Sequence, residues 1–251
     1  MTIPRSRGRS ALGAGHYRAR LHVILMVCGL IVMAGGIGWS IGAYMTKDDF
    51  NAETYARQRI PVINAKMRDT TPGFILFVGD SHVDLYREPS TLCGRDTVNA
   101  GLSGTNSKVY ANALERLTFP RKAALAVLTI GTNDLLRKRK PDPESYKANI
   151  ERILNTLEGK ADLVVATAIP PIDKQLARYF NVDAIESYST TLAGVCARFE
   201  SCIYQDPYKD LRHAEGFGLA KPGAMADGLH VKSYRDIYER LPLCRILSAA
   251  R

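Results

Sequence analysis

The stretch that decides the fold is residues 74–82, which read FILFVGDSH. Five apolar residues are followed directly by a glycine, a carboxylate, a hydroxyl and an imidazole. A short continuous apolar run that ends at a turn residue is typical of a strand buried on both faces of a parallel sheet. The polar residues at its end then lie at the carboxyl edge of the sheet, where α/β domains build their functional sites.

The same pattern recurs along the rest of the chain. We predict five strands, at residues 74–78, 97–98, 124–130, 162–169 and 203–204. Amphipathic helices are predicted at residues 143–157, 183–199 and 231–247, the first of them capped by Asp142 with Pro143 at its first position. Alternating strands and helices predict a doubly wound α/β domain with a parallel five-stranded sheet over residues 72–251.

The segment before this domain is of a different kind. Residues 23–45 contain no charged side chain, and as a helix they would extend roughly 34 Å, enough to cross a bilayer. Residues 1–22 carry five arginines and no acid, which predicts a cytoplasmic tail before one transmembrane helix. A cleaved signal peptide is the alternative, although its apolar core would be shorter. Residues 46–71, with Pro61 within them, are predicted to be a stalk or linker.

The formal net charge of +9 includes the arginine tail. No basic patch with interleaved aromatic residues follows it, so we expect no nucleic-acid partner. The run RKRK at residues 137–140 is the exception, and we interpret it as a solvated loop rather than a polyanion site. No H-E-x-x-H, Walker A or G-x-G-x-x-G pattern occurs, so the sequence predicts no metal site and no nucleotide cofactor.

Four short motifs carry the candidate chemistry: GDSH at 79–82, NAG at 99–101, GTND at 131–134 and DGLH at 227–230. A serine hydroxyl needs a base to accept its proton, and histidine suits that task near neutral pH. A carboxylate must then orient the imidazole. We therefore predict Ser81 as nucleophile, His230 as base and Asp227 as its partner. The N–H groups of Ser81 and Gly101 and the amide of Asn133 are predicted to bind the oxyanion.

In this order, the four motifs resemble the blocks of the SGNH (GDSL-like) hydrolases, over about residues 73–240. The resemblance implies a flavodoxin-like sheet, the triad Ser81, Asp227 and His230, and an oxyanion hole completed by Gly101 and Asn133. One departure is His82, where many members have leucine, although G-D-S-H variants occur in bacterial envelope acyl-modifying proteins.

Other candidates close to these motifs receive structural interpretations. We expect His82 to line the pocket or pack locally, since adjacent helical side chains point about 100° apart. His213 is interpreted as a surface or rim residue. Asp134 is interpreted as a cap or a structural hydrogen-bond partner.

Four cysteines follow the apolar run, and four cysteines allow three pairings. Disulfides suit an oxidising compartment, although all four could instead be reduced core residues. The strand order of the family that the chain resembles implies the pairs Cys93–Cys244 and Cys196–Cys202.

The expected function is hydrolysis of a small ester, an O-acetyl group on an envelope or secreted polysaccharide, without any cofactor. A lipase or thioesterase, an O-acyltransferase that works with a membrane partner, and a non-catalytic scaffold module are the alternatives. The expected location is a single-pass membrane protein with the catalytic domain outside the cytoplasm, in the periplasm if the protein is bacterial.

Overall fold

The computed structural model describes residues 50–249. The strands in this range are β1 Ile75–Gly79, β2 Thr91–Leu92, β3 Arg95–Gly101, β4 Ala123–Thr129, β5 Ala161–Thr167, β6 Cys202–Gln205, β7 Arg212–His213 and β8 Gly216–Ala220. The α-helices are α1 Ala52–Asp69, α2 Ser81–Asp84, α3 Ser107–Leu114, α4 Pro143–Glu158, α5 Ile185–Cys196, α6 Tyr234–Glu239 and α7 Leu243–Ala249. The five predicted strands and the helix predicted from Pro143 are confirmed, with small shifts at their ends.

The main sheet has the order β2-β3-β1-β4-β5-β6, and all its pairs are parallel except β2 with β3. Alternate residues of its central strands enter two different cores. Leu76 and Val78 of β1 pack on one face, with residues of α1, α3, α4 and α5. Ile75 and Phe77 pack on the other face, with residues of α6 and α7. Helices on both faces confirm the doubly wound α/β class.

The predicted strand number is wrong by one. The sixth strand, β2, has only two residues and pairs antiparallel with β3 at the edge of the sheet. Cys93 and Gly94 connect the two strands with positive φ angles of 52° and 71°, the backbone signature of a tight two-residue hairpin. A strand of two residues is too short to produce a detectable hydrophobic period, which is why the sequence did not reveal it.

The segment predicted as a stalk is mostly helix α1. Ala56, Ile60, Ile63 and Met67 are buried in the larger core, and their spacing places them on one helical face. Pro61 lies within the helix and is exposed, so its ring does not disturb the packing of the core. The linker prediction for residues 46–71 is therefore corrected over Ala52–Asp69, which form a helix. The apolar face of this helix was overlooked because the segment contains a proline and is polar on its other face.

The helix predicted at 231–247 is also corrected. It is two short helices, α6 and α7, separated by a turn that contains Pro242. Proline has no N–H to donate and disfavours helical geometry at the residue before it, so the chain turns here.

The predicted tail and transmembrane segment, residues 1–22 and 23–45, lie outside the described residues. Between residues 50 and 249, every helix is too short or too polar to traverse a bilayer.

Both disulfides expected from the resemblance are present. Cys93 is joined to Cys244, and Cys196 to Cys202, each pair with a Cα–Cα distance of 5.3 Å. The first bond connects the β2–β3 hairpin to α7, and the second fixes the turn between α5 and β6. The two bonds close loops of very different length, with sequence separations of 151 and 6 residues.

This difference predicts unequal stabilities. In the chain-entropy account, closing the long loop destabilises the unfolded chain by about 5 kcal/mol and closing the short one by about 2 kcal/mol. Replacing Cys93 and Cys244 with alanine is therefore expected to lower the free energy of unfolding more than replacing Cys196 and Cys202. Denaturant unfolding of both double variants checks this, and equal losses would contradict the loop-length explanation.

Candidate active site

The three residues predicted as a catalytic triad meet at the carboxyl edge of the main sheet. Ser81 is the first residue of α2, immediately after β1, and it is buried except for a small accessible area. Asp227 and His230 lie in the loop between β8 and α6. The Nε2 atom of His230 is 2.9 Å from Ser81 Oγ, and its Nδ1 atom is 2.7 Å from Asp227 Oδ2.

Backbone contacts hold Asp227 in place beneath the imidazole. Its Oδ1 atom accepts hydrogen bonds from the N–H groups of Leu229 at 2.9 Å and His230 at 2.8 Å, which leaves Oδ2 for the ring. Partial burial alone would raise the pKa of Asp227, but these hydrogen bonds, with that of the His230 ring, lower the pKa to about 2. The carboxylate is therefore ionised at neutral pH and can stabilise a protonated imidazole.

One predicted oxyanion donor is not available. The N–H of Gly101 donates to Asn99 Oδ1 at 2.8 Å, and the Asn99 amide in turn donates to the carbonyls of Val83 and Tyr86. Gly101 has a packing role instead, because a Cβ atom at this position would lie 2.2 Å from the backbone nitrogen of Asp84. The prediction of Gly101 as an oxyanion donor is thus corrected.

Gly104, three residues further on, fits that role. It adopts a φ of +73°, and no group within residues 50–249 accepts a hydrogen bond from its N–H. The Asn133 amide donates to the carbonyl of the residue after Gly104, Thr105, at 3.1 Å, so the side chain lies against this loop. Its second N–H has no acceptor within residues 50–249. The N–H of Ser81 likewise has no acceptor in the described part of the chain.

The loop that contains Gly104 is held from the side of α1. Asp84 Oδ2 accepts hydrogen bonds from the Tyr55 hydroxyl at 2.7 Å and from the N–H and hydroxyl of Ser103. Arg59 of α1 lies 3.7 Å from the other carboxylate oxygen of Asp84. Phe50, just before α1, packs against Gly104 so closely that a Cβ atom there would meet its ring at 2.4 Å. Asp84 is therefore a bridge between α1 and this loop.

Comparison with known protein families gives one decisive match. The profile of the GDSL-like lipase/acylhydrolase family matches residues 77–233, which include all four motifs. The chain belongs to the GDSL-like lipase/acylhydrolase family. The protein is thus a serine ester hydrolase, and its sheet, helices and strand-end motifs follow the fold of that family.

Solved structures support the same fold. A GDSL-like lipase from Bacteroides thetaiotaomicron is similar with a TM-score of 0.62 at 16% identity, covering 80% of this chain and 100% of that protein. The lipase/acylhydrolase of Enterococcus faecalis gives a TM-score of 0.54 at 18% identity, covering 70% and 95%. Comparison with curated protein sequences finds no match. These identities are low, so the likeness extends to the fold alone.

His82, the residue after the serine of this GDSL-like hydrolase, is fully buried and packs beside the triad. Its ring centroid is 5.4 Å from that of His230, and its Nδ1 atom is 3.2 Å from the Tyr234 hydroxyl. Burial lowers the pKa of His82 to about 3, so the ring is neutral. It does not contact Ser81 Oγ as a base would, which confirms the prediction of local packing.

The other residues near the motifs have structural contacts. Asp134 accepts hydrogen bonds from the N–H of Ser107 at 2.9 Å and its hydroxyl at 2.6 Å, at the start of α3, which confirms its structural interpretation. His213 lies on β7 and lines a cavity of about 360 Å³ with Asp173 and Glu215. Within residues 50–249, no three His, Cys, Asp or Glu side chains are grouped to hold a metal ion.

Asp80, before the nucleophile, is a fully buried carboxyl. Its Oδ1 atom accepts the N–H of His82 at 3.0 Å, while Oδ2 has no partner among the described residues. Burial raises the pKa of Asp80 to about 7, although backbone hydrogen bonds partly oppose this. The folded protein therefore holds this proton at pH values where the unfolded chain has lost it.

This carboxyl predicts a pH dependence of stability. Between about pH 4 and pH 7 the folded state binds the proton more tightly, so the free energy of unfolding falls as pH rises, by up to about 1.4 kcal/mol per pH unit. The variant Asp80→Asn cannot ionise and lacks this contribution. The melting temperature of wild type minus that of Asp80→Asn is expected to decrease from pH 4 to pH 8, and a constant difference would contradict burial of a neutral carboxyl.

Proposed function

We propose that this GDSL-like hydrolase removes a small acyl group through an acyl-serine intermediate. The acyl group is an acetyl that is ester-linked to a polysaccharide. The observation that carries the proposal is the continuous chain of contacts from Ser81 Oγ through His230 to Asp227, at 2.9 Å and 2.7 Å. These are the distances that a base needs to accept a proton from the nucleophile while its own orientation is fixed.

The proposed reaction has two steps. Ser81 Oγ attacks the ester carbonyl while His230 Nε2 accepts its proton, and that proton then passes to the departing sugar oxygen. A water molecule attacks the acyl-serine, giving its proton to His230, and release of acetate returns a proton to Ser81. In both steps, the negative oxygen is stabilised by the N–H groups of Ser81 and Gly104 and by the Asn133 amide.

We also propose that residues 23–45 anchor the protein in a membrane, with the hydrolase domain outside the cytoplasm. The uncharged run and the arginines that precede it support this arrangement. Anchoring would restrict the enzyme to esters at the cell surface, which favours glycans over soluble metabolites. Extraction of cell membranes with alkaline carbonate tests the anchor, because a peripheral protein would be released and an integral one retained.

The proposed reaction is tested by comparing the activity of the enzyme on several ester substrates. The full-length protein is assayed for acetate release from O-acetylated glycans and for cleavage of p-nitrophenyl esters of increasing acyl length. We expect acetate release and a kcat/KM that falls as the acyl chain grows. Efficient cleavage of long-chain esters without acetate release from any glycan would instead identify a lipase, and transfer of the acyl group to an added sugar would identify an acyltransferase.

A further inference from the structure

A polar pocket of about 270 Å³ lies beside the candidate oxyanion hole and has no part in the triad. Three basic side chains line it, Lys108 at the start of α3 and Arg139 and Lys140 in the loop before α4. Asn106 and Asp134 form its wall. Asn106 follows Gly104 by two residues and Asp134 follows Asn133 directly, so two lining residues belong to the segments that carry the proposed oxyanion donors.

The basic side chains of this pocket are only partly compensated by its carboxylates, since Arg139 lies near enough to Asp134 to lower the pKa of that carboxyl. All three are exposed, as is Lys138 beside them, and none of these four forms an ion pair within residues 50–249. The hydrogen bonds of the two carboxylates in the pocket go to other residues than these cations. Asp134 binds Ser107, and Asp142 accepts hydrogen bonds from Ser145 and from the N–H of Glu144 at the start of α4.

The backbone of the loop adds a second observation. Lys140 has φ +49° and ψ +80°, in the left-handed region that favours glycine, so the loop holds a long cationic side chain at a strained position. Such strain outside tight glycine turns is concentrated at ligand-binding sites. The pocket lining is polar and charged apart from Pro141 and the buried ring of Tyr146, which suits a sugar chain better than an acyl chain.

We propose that this pocket binds the carboxylates of an acidic polysaccharide, so that the acetyl ester presented to Ser81 belongs to a polymer that contains uronic acids. The inference rests on the proposed acetyl-ester hydrolysis and adds the class of polymer. Several adjacent cations match a ligand with repeated negative charges, and guanidinium and ammonium groups are good donors to carboxylates. The RKRK run, interpreted from sequence as a solvated loop, is thereby given a substrate-binding role.

The kinetic test uses acetylated polygalacturonate and an acetylated neutral glucomannan with the full-length enzyme. Wild type is expected to prefer the acidic polymer, and the preference should shrink as salt rises from about 0.02 M to about 0.3 M. In the variant Arg139→Gln/Lys140→Gln, the ratio of kcat/KM for the acidic polymer to that for the neutral one should fall about tenfold, mainly through KM.

A matched control is available at the opposite edge of the sheet. Arg116 follows the end of α3 and Lys160 precedes β5, and both are exposed and outside any ion pair in the described chain. The variant Arg116→Gln/Lys160→Gln removes the same charge and should keep the wild-type ratio. Equal falls in both variants would overturn the proposal, since they would show a general effect of net charge.

A binding test separates failure of this inference from failure of the proposed function. The affinity of unesterified polygalacturonate for the Ser81→Ala protein is measured with and without the pocket substitutions. Weaker binding after substitution supports the site even if wild type releases no acetate, in which case acetyl-ester hydrolysis alone fails. Unchanged binding overturns the inference even if the enzyme is active, and tighter binding of polyphosphate through the same side chains would identify a phosphate site instead.

Discussion

The variant Ser81→Ala is expected to hydrolyse p-nitrophenyl acetate with a kcat lower by about 10⁴- to 10⁶-fold than wild type. The hydroxyl that it removes is the only hydrogen-bond partner of His230 Nε2 in the described part of the chain, so no neighbouring oxygen replaces it as nucleophile. The fold should be retained, because an alanine fits the small buried space of Ser81 without any new polar group. Stopped-flow and steady-state assays, with melting curves of both proteins, measure the two effects separately.

The control is a serine away from the site. Ser187 is exposed on α5 and donates only to the carbonyl of Ala184, so Ser187→Ala should leave kcat unchanged. Labelling with a fluorophosphonate followed by mass spectrometry should place the adduct on Ser81 in wild type and in Ser187→Ala. An active Ser81→Ala protein, or an adduct on another serine, would show that Ser81 is not the nucleophile.

The variant Asp227→Asn is expected to lower kcat by about 10⁴-fold. The Asp227 Oδ1 atom accepts two backbone N–H groups, so the asparagine oxygen will remain there and its NH₂ group will face His230 Nδ1. That contact requires an unprotonated Nδ1 and moves the ring proton to Nε2, where it faces Ser81 Oγ. The imidazole then cannot accept the serine proton, although the geometry of the site is unchanged.

Asp173 provides a matched control for this variant. Its N–H donates to the carbonyl of Gly228 in the same loop, and it lies near enough to Asp227 to affect its electrostatic environment, but it does not touch His230. Asp173→Asn should therefore keep kcat within about tenfold of wild type. If Asp227→Asn retained more than a tenth of wild-type activity while Asp173→Asn lost it, the third member of the triad would be wrongly assigned.

The sequence predicted the triad because strand ends in a parallel sheet share one edge, so motifs far apart in the chain must converge. It pointed to Gly101 as an oxyanion donor, where the structure favours Gly104. Gly101 ends β3 and Gly104 lies in the loop that follows it. Asn99 accepts the N–H of Gly101, whereas the N–H of Gly104 has no acceptor among the described residues. Hydrogen bonds of this kind depend on the tertiary structure, so they cannot be predicted from the periodicity or spacing of residues in the sequence.

Helix α1 was missed for a related reason. Its apolar face has the spacing of a helix, but Pro61 and the polar residues around it resemble a linker when each is judged by local preference alone. Burial against the sheet outweighs those preferences, since tertiary packing supplies most of the stability of a helix in a folded protein. The division of residues 231–247 by Pro242, in contrast, follows a local rule that the amphipathic pattern obscured.

The bridge through Asp84 determines where this protein can be shortened. A chain that began at Thr71 would keep Ser81, Asp227 and His230, yet it would lose the Tyr55 hydroxyl and the Phe50 ring that hold the loop of Gly104. Its turnover of esters would decline, because the oxyanion donors would no longer be preorganised and the main core would lose the apolar face of α1. A shortened form of the enzyme must therefore include Phe50, and helix α1 is part of the catalytic unit.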